Sequence, residues 1–268
     1  MSKLPKQYQF LDLSDYGRPI ARRIANFFKN TKVTPVDITL MFVVSGILAI
    51  LCILYEQVWL AATFLLLKSV LDAADGELAR IKKTPSYTGR YLDSVCDIIL
   101  NFMILGSILW ITNGSIFYML LAFFGMQLQG TLYNYYFVIL RNKLDGDTTS
   151  RIFENSVPIA MLGEKQKNVN LLHKTYSILY GLFDKIIYNL DKNAILGKVF
   201  PNWFMTLISS FGLGFQLLVI AILLVLQLQE YVFLYFMYSS FLIVVFIAIR
   251  KSLHKKTTPK DVVKKGII

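Results

Sequence analysis

The chain has 268 residues, of which 55% are hydrophobic, and its formal net charge is +11. A soluble domain of this length is more polar, and several apolar runs approach the ~20 residues that a spanning helix needs, so the composition indicates an integral membrane protein. The positive charge lies in segments 3–32, 80–90, 141–198 and 250–265, with Lys68 as the exception. This distribution argues against nucleic acid as a partner and is typical of a membrane protein whose basic segments face the cytosol.

Residues 1–34 are polar and basic and contain one predicted amphipathic helix, with Ser14 as its N-cap. The helix has an apolar side and a basic side, formed by Ile20, Ile24, Phe27 and Phe28 and by Arg22, Arg23 and Lys29. We expect it to lie on the cytosolic membrane surface. An ordinary surface helix is the alternative interpretation.

Six membrane-spanning helices are predicted after this segment. Their approximate bounds are 36–55, 58–82, 90–111, 116–140, 203–228 and 231–249. An even number of spans puts both termini on one side of the membrane, and the basic segments make that side the cytosol. The predicted fold class is therefore an all-α integral membrane protein with six transmembrane helices and an N-terminal amphipathic interfacial helix. In a bacterium the location would be the inner, or plasma, membrane.

We divide the chain into a cytosolic N-terminal segment 1–34, a six-helix membrane domain 35–250 and a basic cytosolic tail 251–268. Within the membrane domain, residues 141–201 are polar but carry apolar side chains at helical spacing. We expect an interfacial helix in this segment. A seventh span is the alternative, and it would break the charge rule.

The second and third predicted spans carry four carboxylates at membrane depth. Asp72 and Asp75 are three residues apart, and Asp93 and Asp97 are four apart, so each pair shares one face of its helix. At ~1.5 Å per residue from the outer ends, both pairs lie about 10 Å below the cytosolic edge of a ~30 Å core. A charge there is costly unless it is paired or bound to a cation. Two facing pairs predict an all-oxygen site for Mg²⁺ or Mn²⁺ in a cavity open to the cytosol.

These aspartates belong to the pattern D-x2-D-G-x2-A-R, eight residues, then G-x3-D-x3-D. The pattern resembles the defining motif of the CDP-alcohol phosphotransferases (CDP-alcohol phosphatidyltransferases), integral-membrane enzymes that make phospholipids. All eight positions match with the family's spacing: Asp72, Asp75, Gly76, Ala79, Arg80, Gly89, Asp93 and Asp97. The motif covers residues 72–97, and the six-helix layout extends the resemblance loosely over most of the chain.

The resemblance implies transfer of a substituted phosphate from a CDP-linked donor to an alcohol hydroxyl, with release of CMP. It makes Asp72, Asp75 and Asp93 metal ligands for Mg²⁺ or Mn²⁺. Asp97 becomes the general base, and it can also touch a second metal. Relatives are commonly dimers, so a homodimer in contact with membrane lipids is expected.

Small residues beside the aspartates are expected to admit a flat group to the helix surface. Gly76 and Ala79 lie one turn after the first two aspartates, and in the family the cytidine nucleotide docks there. Gly89 would keep the opposite wall open, and Arg80 can reach a phosphate or brace a carboxylate. Close helix packing is the alternative reason for the glycines.

Two further residues are candidates for substrate binding. Lys68 lies one turn before Asp72, and it either pairs with Asp72 or Asp75 or contacts a substrate phosphate. The first span begins with a sequence that resembles the Thr-Pro-Asn-x-Ile-Thr of many family members. Val36 replaces the asparagine, which leaves Thr39 as the candidate from this helix.

The donor and the acceptor stay open. One branch of the family uses CDP-diacylglycerol and a soluble acceptor such as glycerol phosphate, serine, inositol or inositol phosphate; the other uses CDP-choline or CDP-ethanolamine and diacylglycerol. We favour the first branch, because members of the second typically have more helices. Several basic residues are candidates to hold a phosphorylated acceptor: Arg18, Arg22, Arg23, Arg141 and Arg151. A divalent-cation transporter would also bury carboxylates between helices, but it would not need the Gly-Ala-Arg spacing.

Overall fold

The computed structural model describes residues 4–144, 154, 156–197 and 199–255. These residues form α-helices, short 3-10 turns and no β-strand, which confirms the predicted all-α class. The helices are α1 (Arg18–Phe28), α2 (Pro35–Leu54), α3 (Val58–Lys82), α4 (Tyr87–Thr112), α5 (Ile116–Lys143), α6 (Gln166–Leu190), α7 (Asn202–Ile208), α8 (Leu213–Val225), α9 (Tyr231–Ser239) and α10 (Leu242–Lys255).

Four of the described helical segments are long and apolar enough to cross a membrane: α2, α4, α5 and the combined α9 and α10. A fifth candidate joins Asn202–Phe211 to α8 through a bend of 52°. Helix α3 has 25 residues, but its charged side chains keep it out of this class. Length and composition therefore support a membrane protein and do not confirm the predicted count of six spans.

The predicted fifth span, 203–228, is not one continuous helix, which corrects that prediction. A 3-10 turn, Ser209–Phe211, interrupts it, and Gly212 has an extended backbone (φ −71°, ψ 151°) before α8 begins. The Ser209 hydroxyl donates to the Thr206 carbonyl oxygen at 2.7 Å. Such side-chain bonds to the preceding turn compete with the regular helical ladder. The segment was predicted as one continuous span because its composition is apolar throughout.

The predicted sixth span, 231–249, corresponds to the candidate span Tyr231–Leu253, in which two turn residues separate α9 from α10. The Ser240 hydroxyl donates to the Phe236 carbonyl oxygen at 2.6 Å, again at the end of a helix. Helix α6 confirms that the 141–201 segment contains a helix, and it packs against α4 and α5. Its position relative to a membrane surface stays a prediction.

The N-terminal segment begins differently from its prediction. Ser14 lies in the 3-10 turn Leu13–Asp15 and is not the N-cap of α1, a position that Gly17 occupies. The reason is local, because the Asp12 carboxylate accepts hydrogen bonds from both the backbone N–H and the hydroxyl of Ser14. The turn therefore forms its own capped unit ahead of α1.

Helix α1 packs along α3 and buries Ala21 and Ala25. Of the predicted apolar side, Ile24 and Phe28 are half-buried against the core, whereas Ile20 and Phe27 are exposed. An exposed apolar edge beside basic residues is compatible with the predicted membrane-surface position of α1.

Gly214 of α8 allows the N-terminal turn to lie directly on the bundle, because a Cβ atom there would collide with the backbone carbonyl oxygen of Ser14. A backbone neighbour cannot move aside by changing rotamer. We therefore expect Gly214→Ala to lower the free energy of unfolding by about 1–3 kcal/mol, the usual scale of an overpacked core. Thermal unfolding of the purified protein in detergent measures this change.

Gly106→Ala in α4 is the matched control, since nothing lies within 4 Å of its added Cβ. The thermal unfolding midpoint of this variant should equal that of the wild type or lie slightly above it, because alanine favours a helix over glycine. Equal midpoints for the two variants would contradict the packing of the N-terminal turn on α8.

Candidate active site and metal centre

Three aspartates from two helices form one acidic group. Asp72 and Asp75 of α3 and Asp93 of α4 each offer a carboxylate oxygen, and these oxygens lie within 4.8 Å of one another. Asp75 is buried, and the other two are half-buried. The structure thus brings together three of the four aspartates that were predicted to contact a metal.

The donor set of this group suits a hard divalent cation. Among the described residues, the buried Oδ1 of Asp93 has no hydrogen-bond partner. A buried carboxylate oxygen without a donor is costly unless a cation binds it. Carboxylate oxygens are the ligands that Mg²⁺ and Mn²⁺ prefer, so the residues present fit such an ion.

Asp97 stands apart from this group. Its Oδ1 accepts a hydrogen bond from Lys68 Nζ at 2.6 Å. Lys68 is fully buried, and its Nζ also lies 4.9 Å from the centre of the Phe42 ring. The predicted pairing of Lys68 with Asp72 or Asp75 is therefore corrected, because its long side chain crosses from α3 to α4. The four aspartates divide into a group of three and a separate ion pair.

Thr39 of α2 restrains one member of the acidic group. Its hydroxyl lies 2.6 Å from Asp75 Oδ2 and donates to it. Both side chains are buried. Thr39, predicted as a candidate for substrate binding, thus holds the orientation of a carboxylate in this structure.

Two cavities meet at the aspartates. Cavity A has a volume of about 370 Å³ and lies between the N-terminal turn, α3, α4, α5, α6 and the start of α8. Cavity B has a volume of about 350 Å³ and lies between the starts of α2 and α4, the end of α3 and the end of α5. The residues common to both walls are Asp75, Gly76, Arg80 and Asp93.

Cavity B collects the residues that were predicted to admit a nucleotide: Thr39, Gly76, Ala79, Arg80 and Gly89. At Gly76, an added Cβ would lie 3.4 Å from Nη1 of Arg80, so the missing side chain leaves space for that guanidinium. Gly89 donates its N–H to the Ser86 hydroxyl at 2.8 Å and so belongs to the N-cap of α4. Lys68 is not among the residues that line either cavity.

Glu77 has a buried carboxylate and was not among the predicted site residues. It accepts from Arg18 at 2.8 Å and lies 3.2 Å from Arg80 Nη2 and 3.7 Å from Arg22 Nε. Arg80 therefore braces a carboxylate here, one of its two predicted roles. The sequence did contain an indication of Glu77, because it is a charged residue within a predicted membrane span. Lys68 was selected as a candidate for the same reason.

Helix α6 supplies a second set of missed residues. Tyr176, Tyr180 and Asp184 line cavity A, and their spacing of four residues places them on one helix face. The two tyrosine rings stack with centroids 4.9 Å apart, and the Tyr180 hydroxyl donates to the Ser94 carbonyl oxygen at 3.0 Å. Burial raises the pKa of Asp184 to about 6. The four-residue spacing could be seen in the sequence, but the sequence did not show that this face of α6 lies toward the site.

Four of the five basic residues predicted to hold a phosphorylated acceptor belong to the described part of the chain, and none of these four lines cavity A. Arg18 and Arg22 border a small separate cavity of about 130 Å³, and Arg141 lines cavity B. Arg23 is exposed on α1. Arg151 lies outside the described residues.

A comparison of the sequence with models of known protein families finds a match, and this match includes the residues of the acidic group. Residues 32–162 match the family model of the CDP-alcohol phosphatidyltransferases. The matched region contains helices α2 to α5 and therefore all eight motif positions. No curated protein matches the sequence. Members of this family synthesise phospholipids and use divalent metals, for which the acidic group is suited. The chain therefore carries a CDP-alcohol phosphatidyltransferase domain over residues 32–162.

Proposed function

We propose that the protein transfers a phosphatidyl group from CDP-diacylglycerol to the hydroxyl of a small alcohol and releases CMP. The observation that carries this proposal is the meeting of two cavities at one acidic group. A donor in cavity B and an acceptor in cavity A would face each other at the carboxylates. The acceptor oxygen forms a bond to the phosphorus that bears the diacylglycerol, and the bond from that phosphorus to the oxygen of CMP breaks.

Cavity B suits the CDP part of the donor. Gly76 and Ala79 leave its wall without bulk, so that a flat base can lie against α3. The same wall contains the cationic side chains Lys83, Arg90 and Arg141, which favour phosphate oxygens. We assign Gly89 and Arg80 to the same subsite.

Asp72, Asp75 and Asp93 are the residues that would hold Mg²⁺ or Mn²⁺. A cation held by these residues would supply positive charge beside the diphosphate and the departing CMP. Thr39 contributes by fixing the carboxylate of Asp75 through its hydrogen bond.

We assign the general base to Asp97. It lines cavity A, and the acceptor proton would pass to its carboxylate. Lys68 holds Oδ1 of this carboxylate and so leaves Oδ2 for the acceptor hydroxyl. Lys68 is thus a positioning residue in this proposal, and a direct contact with a substrate phosphate would require that it leave Asp97.

We also propose the cytosolic side for the active site and both termini, with α3 and the bent α7–α8 pair completing six spans. The support is the distribution of basic residues between the apolar helices. We propose a homodimer only because relatives in the family are commonly dimers.

The first prediction concerns the metal. Activity should be lost in excess EDTA and return with Mg²⁺ or Mn²⁺, because the acidic group needs a cation to bind the diphosphate. Asp93→Asn should abolish CMP release and leave the size-exclusion profile unchanged. Glu56→Gln, an exposed carboxylate in the turn between α2 and α3, is the control and should retain full activity. Full turnover in EDTA would refute the metal requirement.

The second prediction separates base catalysis from metal binding. Asp97→Asn should bind the CDP-linked donor with near-normal affinity, while turnover falls by at least ~10², the scale of a lost general base. Asp72→Asn, from the metal group, should lose donor affinity as well. The comparison uses donor binding and CMP release at saturating metal. A large loss of donor binding in Asp97→Asn would sink the base assignment.

The third prediction concerns topology. Cysteines placed at Gln57 and Gln229, in a background without Cys52 and Cys96, should react with an impermeant reagent added outside intact cells. A cysteine at Lys167, just inside α6, should not react until the cells are opened. Labelling of Lys167 from outside would overturn the proposed orientation.

A further inference from the structure

The two cavities differ in the charge of their walls. Among the described residues, cavity B has four cationic side chains, of which Arg90 is paired with Glu154, whereas the wall of cavity A has only Arg80, which the two cavities share. Arg80 is already 3.2 Å from the carboxylate of Glu77. Cavity A also has three carboxylates beyond the metal group and Asp97, namely Asp12, Asp15 and Asp184. The wall of cavity A is therefore negative even after a metal has been bound.

In the described ranges, two of these three carboxylates are hydrogen-bonded to hydroxyl groups and not to cations. Asp15 forms an ion pair with Arg18. Asp12 accepts from the Tyr133 hydroxyl at 2.5 Å, and Asp184 lies 3.4 Å from the Tyr176 hydroxyl. Within the described part of the chain, neither Asp12 nor Asp184 forms an ion pair. A hydroxyl partner satisfies a hydrogen bond but supplies no positive charge.

Aromatic rings cover the same cavity. Tyr133 and Phe137 of α5 line one side, stacked with ring centroids 5.7 Å apart. Tyr176 and Tyr180 of α6 line the other, and Asp184 lies one further turn along that face. Aromatic faces attract alkylammonium groups, and a neighbouring carboxylate adds to that attraction. Among the residues that the structure describes, a phosphate in the same place would meet carboxylates and ring faces, and the single cation of the wall, Arg80, is already paired with Glu77.

We infer that the acceptor is a small alcohol that carries an ammonium group, held in cavity A with its ammonium at the face formed by Tyr176, Tyr180 and Asp184. This inference rests on the proposed function and specifies its acceptor. The hydroxyl end of such a molecule points toward Asp97, whose side chain lines the same cavity. The product is a phospholipid with an amine in its head group, and no further reactant is needed.

An acceptor panel tests the inference directly. The full-length protein, purified into lipid nanodiscs with Mn²⁺ and CDP-diacylglycerol, is given ethanolamine or serine, glycerol or inositol, or glycerol 3-phosphate, all at one concentration. CMP release and the mass of the lipid product are measured. We expect release with an ammonium alcohol to exceed that with glycerol 3-phosphate by about tenfold or more, the scale of one charge contact near a protein surface.

A variant locates the effect. Asp184→Asn should raise the KM for the ammonium alcohol by about tenfold, again the scale of one lost charge contact. The KM for CDP-diacylglycerol should not change. Lys185→Gln is the matched control, because Lys185 is the exposed neighbour of Asp184 and lines neither cavity. A size-exclusion profile checks that each variant is folded.

The outcomes distinguish the inference from the proposed function. Preference for glycerol 3-phosphate, or for glycerol and inositol, overturns the inference and leaves the transferase activity standing. CMP release from CDP-ethanolamine with diacylglycerol, and not from CDP-diacylglycerol, overturns the assignment of the acceptor to cavity A. Failure to release CMP from any of these donors overturns the proposed function, and the inference with it. The wild-type panel gives its answer even if Asp184→Asn fails to fold.

Discussion

Ionised side chains inside apolar helices require compensation, and this requirement organises the bundle around α3. Lys68, in the middle of α3, is fully buried and bonded to Asp97 of α4. Glu77, near the end of α3, is met by Arg18 of α1 and by Arg80 one turn on. An unpaired charge in such surroundings costs several kcal/mol, so each pair also defines which helices must be neighbours. The buried Oδ1 of Asp93, which has no hydrogen-bond partner among the described residues, is suited to bind a cation.

The same requirement makes the N-terminal segment part of the membrane bundle. Arg18 stands at the start of α1, and its pairing with Glu77 places α1 along α3. The preceding turn then lies against α8 and brings Asp12 to the wall of cavity A. A segment that resembles an independent surface helix thus supports the fold and encloses the site.

A shared wall between two chemically different cavities suits a transfer between a nucleotide-linked lipid and a small polar molecule. Cations and small residues line cavity B, whereas carboxylates and aromatic rings line cavity A. Asp75 and Asp93 lie where the two cavities meet. Helix α6 lies beyond the matched family region and forms part of the wall of cavity A.

The sequence by itself determined the all-α class, the limits of α3 and the four aspartates in two helical pairs, because the spacing of side chains on a helix follows from its local period. It did not determine the break at Gly212, which depends on serine side chains and on packing against the N-terminal turn. The tertiary structure alone decided that Lys68 reaches Asp97 and that Arg18 reaches Glu77, across 29 and 59 residues of chain. Contacts between helices depend on how their faces pack, and no local period specifies that arrangement.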